Sequence, residues 1–281
     1  MANESTTTTL NDLLPQIVAE ALFVAQEQSI MRNLVRNYTL GPAQGKTVTV
    51  PIYPGQTAAA VNEGTDLTNT AISTSGATLT VSEVGIMTTV TDLARMSSAS
   101  NVIADVGRLF GQAIANKIDK DLTAKFLSFS ALGDGTTAIT AAKIFQAVAT
   151  LRSNGVAGGD LACVLHPAIS YDLKANLTNT FANANPNLIS NEALASGYVG
   201  MLAGVPVYET SNFDNTGNAG DFMGAVFHRD AIGLALMSDI KIETQRDASL
   251  RADELVATAV YGTGVLYAAH GVGLNYDSSI L

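Results

Sequence analysis

The chain has one cysteine, no tryptophan, three histidines and little charge. Each shortage excludes something. A lone Cys163 cannot close an intrachain disulfide, and this usage fits a reducing compartment. One cysteine and three dispersed histidines do not make a zinc set, so neither a metal nor any other cofactor is expected. Lys and Arg number 15 against 25 Asp and Glu, for a net charge of −10. A nucleic-acid reader needs a basic patch that releases counterions from phosphates, and none is present. The densest basic set (Arg108, Lys117, Lys120, Lys125) is interleaved with Asp105, Asp119 and Asp121, which reads as a solvated, salt-laced helix face.

Charged residues make up 14% of the chain, well below the usual quarter, while 47% is hydrophobic. An isolated monomer needs charge for solubility, so this chain is expected to hide surface against partners. The start, Met-Ala-Asn-Glu-Ser-Thr-Thr-Thr-Thr, has no basic residues and no apolar stretch, so no signal peptide is expected. Leu255–Leu274 lacks Asp, Glu, Lys and Arg, yet carries four glycines and alternates as Leu255, Ala257, Ala259, Tyr261. That pattern predicts strands and no membrane span.

What is present falls into two contrasting parts. Residues 46–92 are rich in Thr, Val, Ser and Gly and poor in bulky side chains. Lys46–Val50 alternates and is expected to stop at Pro51; Thr78–Thr91 alternates again; the excursion between them is rich in turn residues. Two such strands predict an extended hairpin without a core of its own, which must lie on other chains. Before it, Asn11 caps a predicted helix carrying Leu13, Leu14, Ile17, Val18, Ala21, Leu22 and Ala25.

After it, Ser98 or Ser100 is a candidate cap. Val102, Val106, Leu109, Ala113, Ile114, Ile118, Leu122 and Phe126 then form one stripe of a long helix, expected to end at Gly133-Asp134-Gly135. A helix over Ala141–Arg152, a buried strand Leu161–Leu165, a helix Ile169–Leu177 and a polar loop Asn176–Asn191 follow. Strands at Gly204–Glu209, Met223–Phe227 and Ile240–Glu243 complete an α+β pattern.

Candidate chemistry is thin. Gly41-Pro-Ala-Gln-Gly45-Lys46-Thr47 has three residues between its glycines where a phosphate loop needs four, and it leads into a strand rather than a helix. Cys163 and His166 suggest a thiol with its base, but strand residues alternate faces, and a buried cysteine is ordinarily a small hydrophobe. The pairs Asp119/Asp121 and Asp253/Glu254 read as solvated faces. Glu63 and Asp66 lie on the arm, which offers no rigid cleft to shift a pKa, so an interface role is expected instead. Gly262-x-Gly264 and Gly271-x-Gly273 lack any phosphate-binding sequel. No catalytic residue is assigned.

The order of elements carries more. It joins Gly45-Lys-Thr-Val-Thr-Val-Pro51, Val61-Asn-Glu-Gly-Thr-Asp66 and Leu165-His-Pro-Ala168 to Leu202-Ala-Gly-Val-Pro-Val-Tyr-Glu-Thr210 and Val226-Phe-His-Arg-Asp-Ala-Ile232. With these motifs the chain resembles the major capsid proteins of tailed double-stranded DNA phages, the Hong Kong ninety-seven type fold. The resemblance implies an N-terminal arm (1–45), an extended loop (46–92), a spine helix (93–131) and an axial domain (132–238). Peripheral-domain strands (239–281) would complete it.

It further implies self-assembly of hexamers and pentamers into an icosahedral shell around DNA, without sequence-specific contacts or a membrane. Portal and scaffolding or decoration proteins are implied partners, and the shell would form in the host bacterial cytoplasm. Relatives that crosslink covalently use a Lys on the loop, whereas the only Lys here is Lys46 at its base. Expected interface contacts are Glu63 and Asp66 with a neighbour's Arg or Lys, Arg95 and Arg108 being candidates. The alternatives are an encapsulin-like nanocompartment, a Cys- or Ser-dependent hydrolase, and a phage tail or decoration protein.

Overall fold

A long helix lies against two β-sheets in the computed structural model. The structure describes residues 4–5, 29–41, 45–97, 102–156, 158–181, 198–213 and 221–280, excepting positions 54, 57, 59, 65, 67, 68 and 70. The helix expected over 11–25, the Ser98 and Ser100 caps and the polar segment beyond residue 181 lie outside them. The helices are α1 (Met31–Leu34), α2 (Asp92–Ser97), α3 (Val102–Thr123), α4 (Ala141–Ser153) and α5 (Pro167–Phe181).

A five-stranded sheet holds the two-residue β1 (Glu4–Ser5), β2 (Arg36–Thr39), β5 (Ser82–Thr91), β11 (Ile232–Asp247) and β12 (Ala252–Val265), in the order β1-β5-β12-β11-β2. A six-stranded sheet holds β6 (Ser130–Leu132), β7 (Leu161–Leu165), β8 (Tyr198–Leu202), β9 (Val205–Glu209), β10 (Asp221–His228) and β13 (Gly271–Asp277), in the order β6-β13-β10-β7-β9-β8. The arm is a separate antiparallel pair, β3 (Thr47–Ile52) with β4 (Ser75–Thr80).

Helix α3 is the spine because its apolar residues recur every four positions. Phe110, Ile114, Ile118 and Leu122, with Phe126 in the 3-10 turn Ala124–Ser128 that follows, are all buried. At 1.5 Å per residue the helix spans roughly 33 Å, and its stripe packs on Leu234, Leu255, Ala257 and Tyr261 of the five-stranded sheet. The same core takes Ala162 and Val164 from β7, and Ala225 and Phe227 from β10. The alternate residues Leu161, Cys163, Leu165 and Val226 face a second core with Ile144, Leu151, Ile169 and Leu173 of α4 and α5. Burial on both faces explains why β7 is an unbroken apolar run.

Several expectations change. β3 continues through Pro51 to Ile52, Pro51 pairing with Gly76, because a strand with an open edge tolerates a missing N–H. Thr78–Thr91 is two strands: β4 pairs with β3, whereas β5 runs antiparallel to β12. Between them, the Val81 N–H donates to the Lys46 carbonyl at 2.9 Å and closes the arm. The spine ends at Ser128, before Gly133, since β6 already pairs with β13 from Ser130 onward. Helix α5 runs to Phe181, beyond Asn176. The C-terminal strands divide, with β12 in the five-stranded sheet and β13 in the six-stranded one.

The crossings between the sheets are the 3-10 turns Arg229–Ala231 and Ala268–His270. Here His228 Nδ1 accepts from the Asp230 N–H at 3.2 Å, and the His270 ring stacks on Tyr267 with centroids 4.6 Å apart.

Candidate assembly surface

Every described residue from Tyr53 to Gly76 is exposed. Tyr53 and Ile72 are 66% and 65% exposed, although water is a poor environment for either side chain. Only the root of the arm is buried, where Leu79 and Val81 join Leu40, Ala235 and Leu266 in a small third core. Beyond the root, Val48, Val50 and Ala77 of the ladder are partly buried against this core, while the described residues of the excursion are exposed.

Glu63 and Asp66 lie on this exposed excursion, and neither forms an ion pair among the described residues. Arg108 is exposed on α3. Arg95 has partners in its own chain. Its guanidinium reaches Asp253 at 2.6 Å and Asp92 at 3.6 Å, while Arg246 bonds Asp92 through two nitrogens at 2.7 and 2.6 Å and meets Asp253 at 3.2 Å. These four side chains tie α2 to the far end of the β11–β12 hairpin. Asp253 therefore belongs to a network and not to a solvated pair, a role invisible while its partners lie 7 and 158 positions away. Beside the network, Leu93 and Met96 of α2 are 63% and 74% exposed. They are a further apolar element of the surface, and periodicity gave no warning of so short a helix.

The hydrogen bond from Arg246 is the main cause holding the Asp92 carboxyl below its ordinary value of 3.8; Arg95 and Arg251 reinforce it. A group whose folded pKa is depressed contributes stability above its unfolded value and loses it as pH falls through the folded value. Wild-type melting temperature should therefore drop on acidification below about pH 4, and Asp92→Asn should flatten part of that slope. Identical acid slopes in thermal melts of the two proteins would contradict the network's role.

The candidate reactive groups are occupied structurally. Cys163 is fully buried, and burial pushes its thiol up to about 12, so no thiolate forms near neutral pH. The His166 ring stacks on Phe222 at 3.7 Å, and its Nδ1 accepts from the Ala168 N–H at 3.2 Å. Asp119 is not solvated but fully buried. Its carboxylate accepts from Ser29 Oγ at 2.7 Å and the Ile30 N–H at 3.0 Å, which oppose the upward shift caused by burial. Its helix neighbour Asp121 bonds Lys117 and the Tyr261 hydroxyl, 2.6 and 2.7 Å away. Among the described residues no three His, Cys, Asp or Glu are grouped to hold a metal, and no helix is long and apolar enough to cross a membrane.

A spine helix, two sheets and an uncovered arm define a shell-building subunit. The phage capsid protein family model matches residues 73–272. The chain belongs to the phage capsid protein family, and its role is structural, as a component of the capsid shell. Solved structures agree in fold. That of the cyanophage P-SCSP1u capsid matches with a TM-score of 0.73 and 19% identity, over 96% of this chain and 95% of the other. One from Mycobacterium phage Che8 gives 0.71 and 21% over 94% and 97%. The acid-stable capsid of Helicobacter pylori bacteriophage KHP30 gives 0.72 and 12% over 99% of each. No curated protein sequence matches significantly. These findings favour the capsid over the nanocompartment, tail and hydrolase readings.

Proposed function

We propose that copies of this chain assemble as hexamers and pentamers into a closed icosahedral shell around double-stranded DNA, each arm lying on a neighbouring subunit. The observation that carries this is the exposure of every described arm residue from Tyr53 to Gly76 in a family of capsid proteins. An isolated two-stranded ribbon is marginal in water and is stabilised when a second surface covers it. Glu63 and Asp66 meet cationic side chains of that neighbour, with Arg95 and Arg108 as candidate partners. The six-stranded sheet with α4 and α5 serves as the axial domain; α3 and the five-stranded sheet serve as the peripheral domain.

The net charge of −10 suits a wall that holds DNA without gripping it, since a mildly acidic surface repels phosphates. A portal and a scaffolding or decoration protein are the proposed partners, and the host bacterial cytoplasm is the proposed place of assembly. Light scattering on the purified chain, with any scaffold supplied, should report particles of many subunits. A homogeneous monomer would overturn the reading. Particles boiled in SDS should run as single monomers, because the Lys46 backbone is pinned by Val81 where the arm leaves the body and its amine is badly placed to reach a neighbour's Asn. A ladder of covalent oligomers would show that the arm carries crosslinking chemistry.

A further inference from the structure

We infer that a side-chain-free footing on the five-stranded sheet sets the angle of the arm, and that Leu79 is the peg that holds it there. The inference rests on the proposed arm-to-neighbour contact and concerns how the arm is aimed.

Gly233 of β11 lies directly opposite Gly264 of β12, and Ala235 lies opposite Gly262. Positions 262 and 264, like 233 and 235, share one face of the sheet, because side chains alternate along a strand. Together they form a patch with no side chain larger than a methyl group. Its other face carries Leu234 and Tyr261 against the spine-helix core. None of the three glycines has the left-handed backbone that would itself favour glycine. Glycine weakens a strand interior, and its usual reason for being there is close approach of another backbone.

That approach is seen here. A methyl group at Gly262 would stand 2.1 Å from the Thr80 carbonyl oxygen and 3.0 Å from the Val81 nitrogen. One at Gly264 would stand 2.5 Å from Leu79 Cδ2, and one at Gly233 would stand 2.9 Å from Leu79 Cδ1. Leu79 is 1% exposed, packed with Ala235 and Leu266. The Val81-to-Lys46 hydrogen bond ties the start of β3, the arm's other strand, to the same place.

The footing matters because the arm is a lever. β3 and β4 have six residues each, so the ladder extends roughly 20 Å beyond the root before the excursion begins. At Gly262 the obstacle is backbone, which cannot rotate away as a side chain does. A side chain there lifts Thr80, and the displacement grows toward the tip. Removing Leu79 does the opposite: the footing stays open and the arm is free to rock.

The test uses the full chain carrying spin labels at Ile72→Cys on the arm and Lys120→Cys on the spine helix, Cys163 being buried and unreactive. The distance distribution of unassembled wild-type subunits is the reference. Gly262→Val should shift its mean by several ångströms; Leu79→Ala should broaden it; Leu79→Met, which refills the footing, should restore it. In the unlabelled proteins, Gly262→Val and Leu79→Ala should lose most of their closed-shell yield while far-UV circular dichroism stays near native, and Leu79→Met should keep that yield. Unchanged distances, or altered distances with normal shells, would overturn the inference. Should Gly262→Val not fold, the Leu79→Ala and Leu79→Met pair decides. Excising residues 54–74 separates the two ideas. Shells formed without the excursion would sink the arm-to-neighbour reading. Shells lost on excision but normal with a re-aimed arm would sink only the footing.

Discussion

Replacing residues 54–74 with a short Gly-containing turn should leave a soluble, folded subunit that builds no shells. β3 and β4 remain paired in this variant, with Leu79 still in place at the root. The two main cores are untouched, since no residue between 53 and 76 belongs to either. Far-UV circular dichroism and melting temperature should therefore stay near the wild-type values. What disappears is the surface of Val61 and Ile72, together with Glu63 and Asp66, all of which are exposed in the subunit. A shell needs every subunit to contact its neighbours, so a contact removed once is removed in every copy. Sedimentation should show monomers or single capsomers and no shell peak. Normal shells from this variant would mean the arm is a dispensable surface hairpin.

The largest loss of subunit stability is expected from Phe126→Ala. Phe126 is fully buried where the spine passes into its terminal 3-10 turn. Its ring lies 6.1 Å from Phe129, 5.7 Å from Phe213 and 5.4 Å from Phe227, so one side chain joins the spine, the chain after β9 and the strand β10. Truncating a buried Phe to Ala costs about 3–5 kcal/mol through lost burial and the cavity left behind. Several rings around one void cannot all collapse into it, which favours the upper part of that range. Chemical denaturation should show a midpoint moved far down with an unchanged slope. A change below about 1 kcal/mol would mean that the cluster is not what ties the spine to the six-stranded sheet.

Elements defined by their own periodicity were legible in the sequence. The recurrence Val106, Ile114, Ile118, Leu122 and Phe126 shows the spine, although the expected stripe members Leu109 and Ala113 are exposed and Phe110 is buried in their place. The apolar run Leu161–Leu165 shows a strand buried on both faces. Changes of sheet were not legible. Nothing in Thr78–Thr91 marks the switch at Val81, because the chain continues extended there and its one glycine, Gly85, lies four residues further on, within β5. The separation of β13 from β12 is equally silent, since both strands alternate and only their pairing partners differ.

The exposure of the arm was legible, and the ion-pair network beside it was not. Glu63 and Asp66 stood out because the arm around them has no core. The Asp92–Arg246–Asp253–Arg95 network joins distant positions and left no local trace. Gly262 and Gly264 were in plain view, and read as a nucleotide motif they signify nothing. As strand glycines without left-handed backbone they signify close approach, and Leu79 with Thr80 is what approaches.

The central claim is that the arm is stabilised by a neighbour. A cryo-microscopy reconstruction of the assembled particle tests it most directly. The account predicts a closed shell in which residues 53–74 of each subunit lie across the body of an adjacent one, with Tyr53 and Ile72 covered. An arm folded back onto its own subunit, or one left uncovered in a closed shell, would contradict it.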